Sequence, residues 1–131
     1  MQVELVSPER RLASYDDAKA VRIPGADGDM TAMADHAPTI TSLRPGVLTI
    51  ETASGEESYA VTGGFAEIGA GVSVLAERAL PVSEVSQETF DGWVAEATEA
   101  QTNAPDDAIE SAAKLVADMV ALGGEIGLNA K

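Results

Sequence analysis

The chain has 131 residues, 45 % of them apolar, and a formal net charge of −14. That is enough apolar content for one packed domain, or one small domain with an appendage, and too much for a globally disordered chain. The charge disfavours nucleic acid and anionic lipid as partners, no cysteine is present for a disulfide or thiolate metal site, and no apolar run of about 18 residues exists to span a bilayer.

Residues 2–7 alternate, with Val3 and Leu5 on one face and Glu4 and Val6 on the other, until Pro8 ends the run. The opening residues lack the basic and apolar regions of an export signal. Residues 19–23 alternate around Val21 and Ile23, and Pro24-Gly25 is expected to turn the chain. From residue 22 to residue 50 the chain carries its only histidine, His36, three of its six prolines (Pro24, Pro38, Pro45) and three glycines (Gly25, Gly28, Gly46). A stretch so punctuated reads as a shaped loop and a candidate working surface. Residues 47–51 and 58–61 are β-branched or aromatic runs, joined by Ser54-Gly55-Glu56 as a hairpin turn. Residues 65–68 and 72–76 follow, joined by Gly69-Ala70-Gly71. Short strands at close spacing with Gly and Pro turns predict an antiparallel β-sandwich or barrel.

After Pro81 the periodicity becomes helical. Phe90, Trp93, Val94, Ala97 and Ala100 share a face, with Ser83 or Ser86 as the N-cap. Gly92 costs this first helix about 1 kcal/mol relative to Ala, so it needs packing to exist. A second helix is predicted to open at Pro105, with Asp106 and Asp107 complementing its dipole, and to stop at Gly123-Gly124. Its apolar stripe is Ile109, Ala112, Ala113, Val116, Met119 and Val120, and Glu110 is spaced to pair with Lys114. The short link at residues 101–104 predicts an antiparallel two-helix hairpin. The organisation is therefore a β-sandwich domain at residues 1–81 and a helical hairpin domain at 82–131, the hairpin being the looser half.

Little here supports catalysis. One histidine does not make a metal cluster. His36 beside Asp35, with Ser42 or Thr39 as nucleophile, would need a geometry that adjacent loop residues rarely present. Thr62-Gly63-Gly64-Phe65 is neither a P-loop nor a dinucleotide fingerprint, and reads as a tight strand connection. Met30 and Met33 offer adaptable apolar contact. The charge serves solubility or a basic partner. A stand-alone acidic β-sandwich module binding a basic protein or a sugar is the alternative, though Tyr15, Tyr59, Phe65, Phe90 and Trp93 are too scattered for a sugar platform.

An ordered set of segments then resembles one family. They are V-S-P-E (residues 6–9), Pro24-Gly25, G-D-M-T-A-M-A-D-H-A-P (28–38), S-L-R-P-G (42–46), Y-A-V-T-G-G-F-A-E-I (59–68) and V-S-V-L-A-E (72–77). Together they resemble the epsilon subunit of F-type ATP synthase, called delta in mitochondria, and Thr31-Ala32-Met33 looks like the alphaproteobacterial version. The resemblance implies a non-catalytic rotor subunit of the central stalk, with no cofactor, coupling the gamma subunit to the membrane-embedded c-ring. It implies a place at the cytoplasmic face of a bacterial inner membrane, peripheral through the complex. It also implies that Asp29, Met30, Thr31, Met33 and His36 form the partner-contact surface. Two departures stand out. The family commonly has Pro-Gly where this chain has Ala34-Asp35. Members whose hairpin binds ATP open it with an aliphatic-Asp-x-x-Arg-Ala motif, where this chain has Val85-Ser86-Gln87-Glu88-Thr89-Phe90. From residue 81 onward there is no arginine and only Lys114 and Lys131, so no nucleotide site is expected on the hairpin, and weak or no inhibition of ATP hydrolysis.

Overall fold

The computed structural model describes residues 1–34 and 36–129. Ten strands come first: β1 (Val3–Val6), β2 (Arg11–Tyr15), β3 (Ala20–Gly25), β4 (Gly28–Met33), β5 (Thr39–Leu43), β6 (Gly46–Thr52), β7 (Gly55–Val61), β8 (Gly64–Ile68), β9 (Val72–Ala76) and β10 (Ala79–Pro81). They are joined in the order β10-β7-β6-β3-β5-β8-β9-β1-β2, with β4 pairing β3 off this path. Every pairing is antiparallel except β1 with β9, which is parallel.

Alternation explains the layers. Val3 and Leu5, Val21 and Ile23, Leu48 and Ile50, Ile68, Val72 and Val74 turn to one side of their strands and share a single core, so the sheet folds over on itself as a sandwich. The hydroxyls of Tyr15 on β2 and Tyr59 on β7 stand 3.3 Å apart, tying one end of the strand order to the strand next to its other end.

The expected loop over residues 22–50 is mostly strand. Pro24 and Gly25 lie within β3, opposite Asp29 and Gly28, and the turn is Ala26-Asp27. Pro24 is tolerated because the strand uses its carbonyl, which accepts from the Arg44 N–H at 3.0 Å. Gly25 is needed for close approach, not for turning: a Cβ there would lie 2.6 Å from the Gly28 carbonyl oxygen. The hairpin turns expected near Gly55 and at Gly69-Ala70-Gly71 are present, between Thr52 and Gly55 and between Ile68 and Val72.

Helix α1 (Gln87–Thr102) begins at Ser86, whose Oγ accepts from the Thr89 N–H at 3.1 Å. Pro105 precedes a 3₁₀ turn, Asp106–Ala108, so α2 (Ile109–Ile126) opens later than its proline suggests. It also runs through Gly123-Gly124 and ends at Gly127, which holds the left-handed conformation at φ +82°. Gly123 is a packing notch: a Cβ there would sit 2.3 Å from Cζ of Phe90. Lys114 donates to Asp118 at 2.6 Å instead of pairing with Glu110. Gln87 Nε2 donates to the Asn129 carbonyl at 2.8 Å, which closes the antiparallel hairpin end to end.

The hairpin lies on the outer face of the sheet. Phe90, Trp93, Ala97, Met119 and Leu122 are buried over Ala60, with Val47 and Leu80 packed alongside. Arg78, just before β10, reaches Glu96 on α1 at 2.8 Å. Of the stripe expected on α2, Met119 is buried, whereas Ile109 and Val120 stay exposed because the sheet lies under Met119 and Leu122.

Candidate partner-contact site

Strand β4 positions the residues singled out in the sequence. Asp29, Thr31 and Met33 point outward and are exposed. Met30 points the other way and packs, half-buried, against the core beside the fully buried Ala32. The period of two that governs a strand thus divides the expected set, and Met30 supports the surface from beneath.

Asp29 is not a lone charge. Its Oδ1 accepts from Nη2 of Arg44, and Nη1 of the same guanidinium donates to the Gly25 carbonyl at 2.6 Å. Arg44 lies between β5 and β6 with most of its side chain covered, so it braces the β3–β4 hairpin from the neighbouring turn. Beside it is a cleft of about 300 Å³ lined by Arg22, Asp29, Thr31, Arg44 and, from α2, Glu125. Arg22 in turn pairs with Glu56 at 3.0 Å. Both arginines of the cleft are therefore committed to carboxylates, which leaves it no cationic head for an anion.

His36 follows β4, its N–H donating to the Met33 carbonyl at 3.2 Å. Its ring Nδ1 lies 2.7 Å from the Ala37 carbonyl, to which Thr39 Oγ1 also donates at 3.1 Å. The imidazole is spent on the backbone and bonds neither Thr39 nor Ser42, so the base–nucleophile arrangement does not form. Asp35, and with it the Ala34-Asp35 departure, lies outside the described residues, as does Lys131. Among the described residues no group of three or more His, Cys, Asp or Glu could hold a metal.

A second surface escaped the sequence reading. Ile40, Phe65 and Leu75 are 72, 59 and 62 % exposed. Phe65 stands directly opposite Leu75, and Ile40 is opposite Glu67, diagonal to Phe65. They make one apolar patch on the outward face of β5, β8 and β9. The signal was present: in 65–68 and 72–76 these side chains fall on the face opposite Ala66, Ile68, Val72 and Val74. Of the five aromatic residues only Phe65 is exposed, so no aromatic sugar platform forms.

Residues 1–82 match the family model described as "ATP synthase, Delta/Epsilon chain, beta-sandwich domain". Over 98 % of its length the chain is 52 % identical to the ATP synthase epsilon chain of Ruegeria sp. (strain TM1040), 97 % of which is covered. The chain belongs to the ATP synthase epsilon-chain family.

The fold recurs in solved assemblies. A chain of the Euglena gracilis mitochondrial ATP synthase, in a structure of OSCP/F1/c-ring, aligns at a TM-score of 0.65 and 25 % identity, covering 88 % of this chain and 74 % of that one. A chain of the Tetrahymena thermophila enzyme's central stalk and c-ring shares the fold at a TM-score of 0.67 and 20 % identity, with 95 and 93 % covered. As an epsilon chain the protein is a non-catalytic subunit of the ATP synthase complex, peripheral to the membrane through that complex. No helix among the described residues is long and apolar enough to cross one. From residue 82 onward the one cation among the described residues is Lys114, already held by Asp118.

Proposed function

We propose that this epsilon chain is the coupling piece of the rotor, joining the gamma subunit to the c-ring at the cytoplasmic face of a bacterial inner membrane, so that stalk and ring turn together. The observation that carries the reading is the patch of Ile40, Phe65 and Leu75. Three large apolar side chains held outward on a rigid sheet suit a permanent, desolvated contact, and gamma is the partner assigned to it. The outward face of β4, with Asp29, Thr31 and Met33, and His36 just beyond it, is assigned to the polar loops of the c-ring, with Met30 holding the strand from beneath. Because Arg44 already neutralises Asp29, this contact works by shape and register more than by net attraction.

Residues 1–81 act as the coupling domain and residues 82–131 as a separate hairpin domain. Without a free cation among its described residues, the hairpin binds no nucleotide and inhibits ATP hydrolysis weakly or not at all.

The test has two arms. Phe65→Glu together with Leu75→Glu should abolish co-purification with gamma while leaving the circular dichroism unchanged. Cysteine at position 29 should cross-link to the c-ring loop in assembled enzyme. Retained gamma binding would overturn the first assignment, and failure to cross-link across positions 29, 31 and 33 the second.

A further inference from the structure

Along the outward seam of the helical hairpin, Val94 and Val116 pack against the buried cluster beneath, whereas Ile109 and Val120 stay exposed. The two helices are buried on the sheet through Phe90, Trp93, Ala97, Met119 and Leu122. A helix turns about 100° per residue, so the next positions round α2 are Ile109, Ala113, Val116 and Val120, an apolar line about 16 Å long. Ile109 and Val120 are 50 and 43 % exposed, and Val116 is half-buried. Along α1 the half-buried Val94 lies on the adjoining flank. Ala95, Thr98 and Thr102 follow it, and with Asp91 and Glu99 they line a shallow depression of about 470 Å³. The small side chains on this face of α1 leave room for a third helix at close approach, beside the exposed Ile109 and Val120 of α2.

Charge selects the occupant. Glu88, Asp91 and Glu99 rise on the outward flank of α1, Asp91 also accepting from Gln87 Nε2 at 2.8 Å. Lys114, the one described cation of the two helices, lies on the other flank of α2, bonded to Asp118. A second copy of this chain would bring the same acidic flank to the seam, and a net charge of −14 opposes both self-association and anionic surfaces. We propose that the seam between α1 and α2 docks a basic amphipathic helix of another protein, its apolar stripe on the exposed Ile109 and Val120 and its Lys and Arg edge on Glu88 and Glu99.

The probe is a fluorescent synthetic peptide whose leucines fall on one helical face and whose lysines flank them, titrated by anisotropy against the full chain. The controls are a scrambled peptide of identical composition, the full-chain variants Val120→Glu and Glu88→Gln/Glu99→Gln, and circular dichroism of each. Saturable binding by the amphipathic peptide, at least tenfold weaker for Val120→Glu and for the scrambled peptide, supports the proposal. The Gln pair should also flatten its salt dependence. Equal binding by the scrambled peptide, or no change with Val120→Glu, would reduce the interaction to diffuse charge and overturn it. Absence of binding overturns it as well.

Discussion

Arg44 clasps Asp29 at the mouth of the β3–β4 hairpin, and the same guanidinium donates to the Gly25 carbonyl at 2.6 Å. The most conspicuous acid of the contact face is thus part of an internal brace that holds two β-turns in fixed relation. An exposed carboxylate that already has its cation presents a shape and an acceptor, with little net field.

Replacing the two partners should cost unequal amounts. Arg44→Ala strips a mostly covered donor from the Gly25 carbonyl and leaves Asp29 uncompensated, a loss of about 1–2 kcal/mol. Asp29→Ala removes only an exposed carboxylate and costs less than about 1 kcal/mol. Urea unfolding of both variants decides the matter, and equal losses would show that the bond to Gly25 contributes nothing.

Gly123 and Gly124 are neighbours with opposite expectations. Alanine at 123 would drive a methyl into the ring of Phe90, 2.3 Å away, and overpacking of this kind costs about 1–3 kcal/mol. Alanine at 124 meets nothing within 4 Å and should stabilise by up to about 1 kcal/mol through helix propensity. Thermal melts of the two single variants should move in opposite directions.

Alkaline pH should loosen the sandwich through Tyr59. Burial first, then the bond to Tyr15, holds its phenol well above the ordinary range. Above about pH 10 the unfolded chain releases this proton while the folded chain keeps it. The stabilising contribution is therefore complete below about pH 10 and is lost as the pH rises beyond it. Tyr59→Phe should lose less stability than the parent over about pH 9.5–11.5 in denaturant titrations; parallel curves would exclude Tyr59 as the source.

Removing residues 83–131 should leave ATP hydrolysis by the assembled enzyme nearly unchanged, measured per mole of intact complex. The described hairpin residues carry one engaged lysine among their acids, so nothing basic among them is available to engage acidic parts of a partner. Strong activation on truncation would contradict this.

Much of the architecture was legible because it rests on local rules. Alternation in residues 2–7, 65–68 and 72–76 marks strands, and Ser86 ahead of Phe90, Trp93 and Ala97 marks a capped amphipathic helix. Strands β2, β4, β5 and β10 were not anticipated. They are short, polar or interrupted by Pro and Gly, and they exist because neighbours supply the hydrogen bonds. Gly123 misled for the same reason: a glycine that ends a helix and one that admits a ring look alike until Phe90 is placed against it.

The sequence by itself determined the two-part organisation, a β-sandwich followed by a helical hairpin, and through its ordered segments the family. Those properties depend on periodicity and spacing, which are written along the chain. Only the tertiary structure decided what Asp29 is bonded to, that Met30 turns inward while Met33 turns out, and that Ile40, Phe65 and Leu75 meet on one face. Each depends on which strands pair and in what register, and register is set by the whole folded sheet.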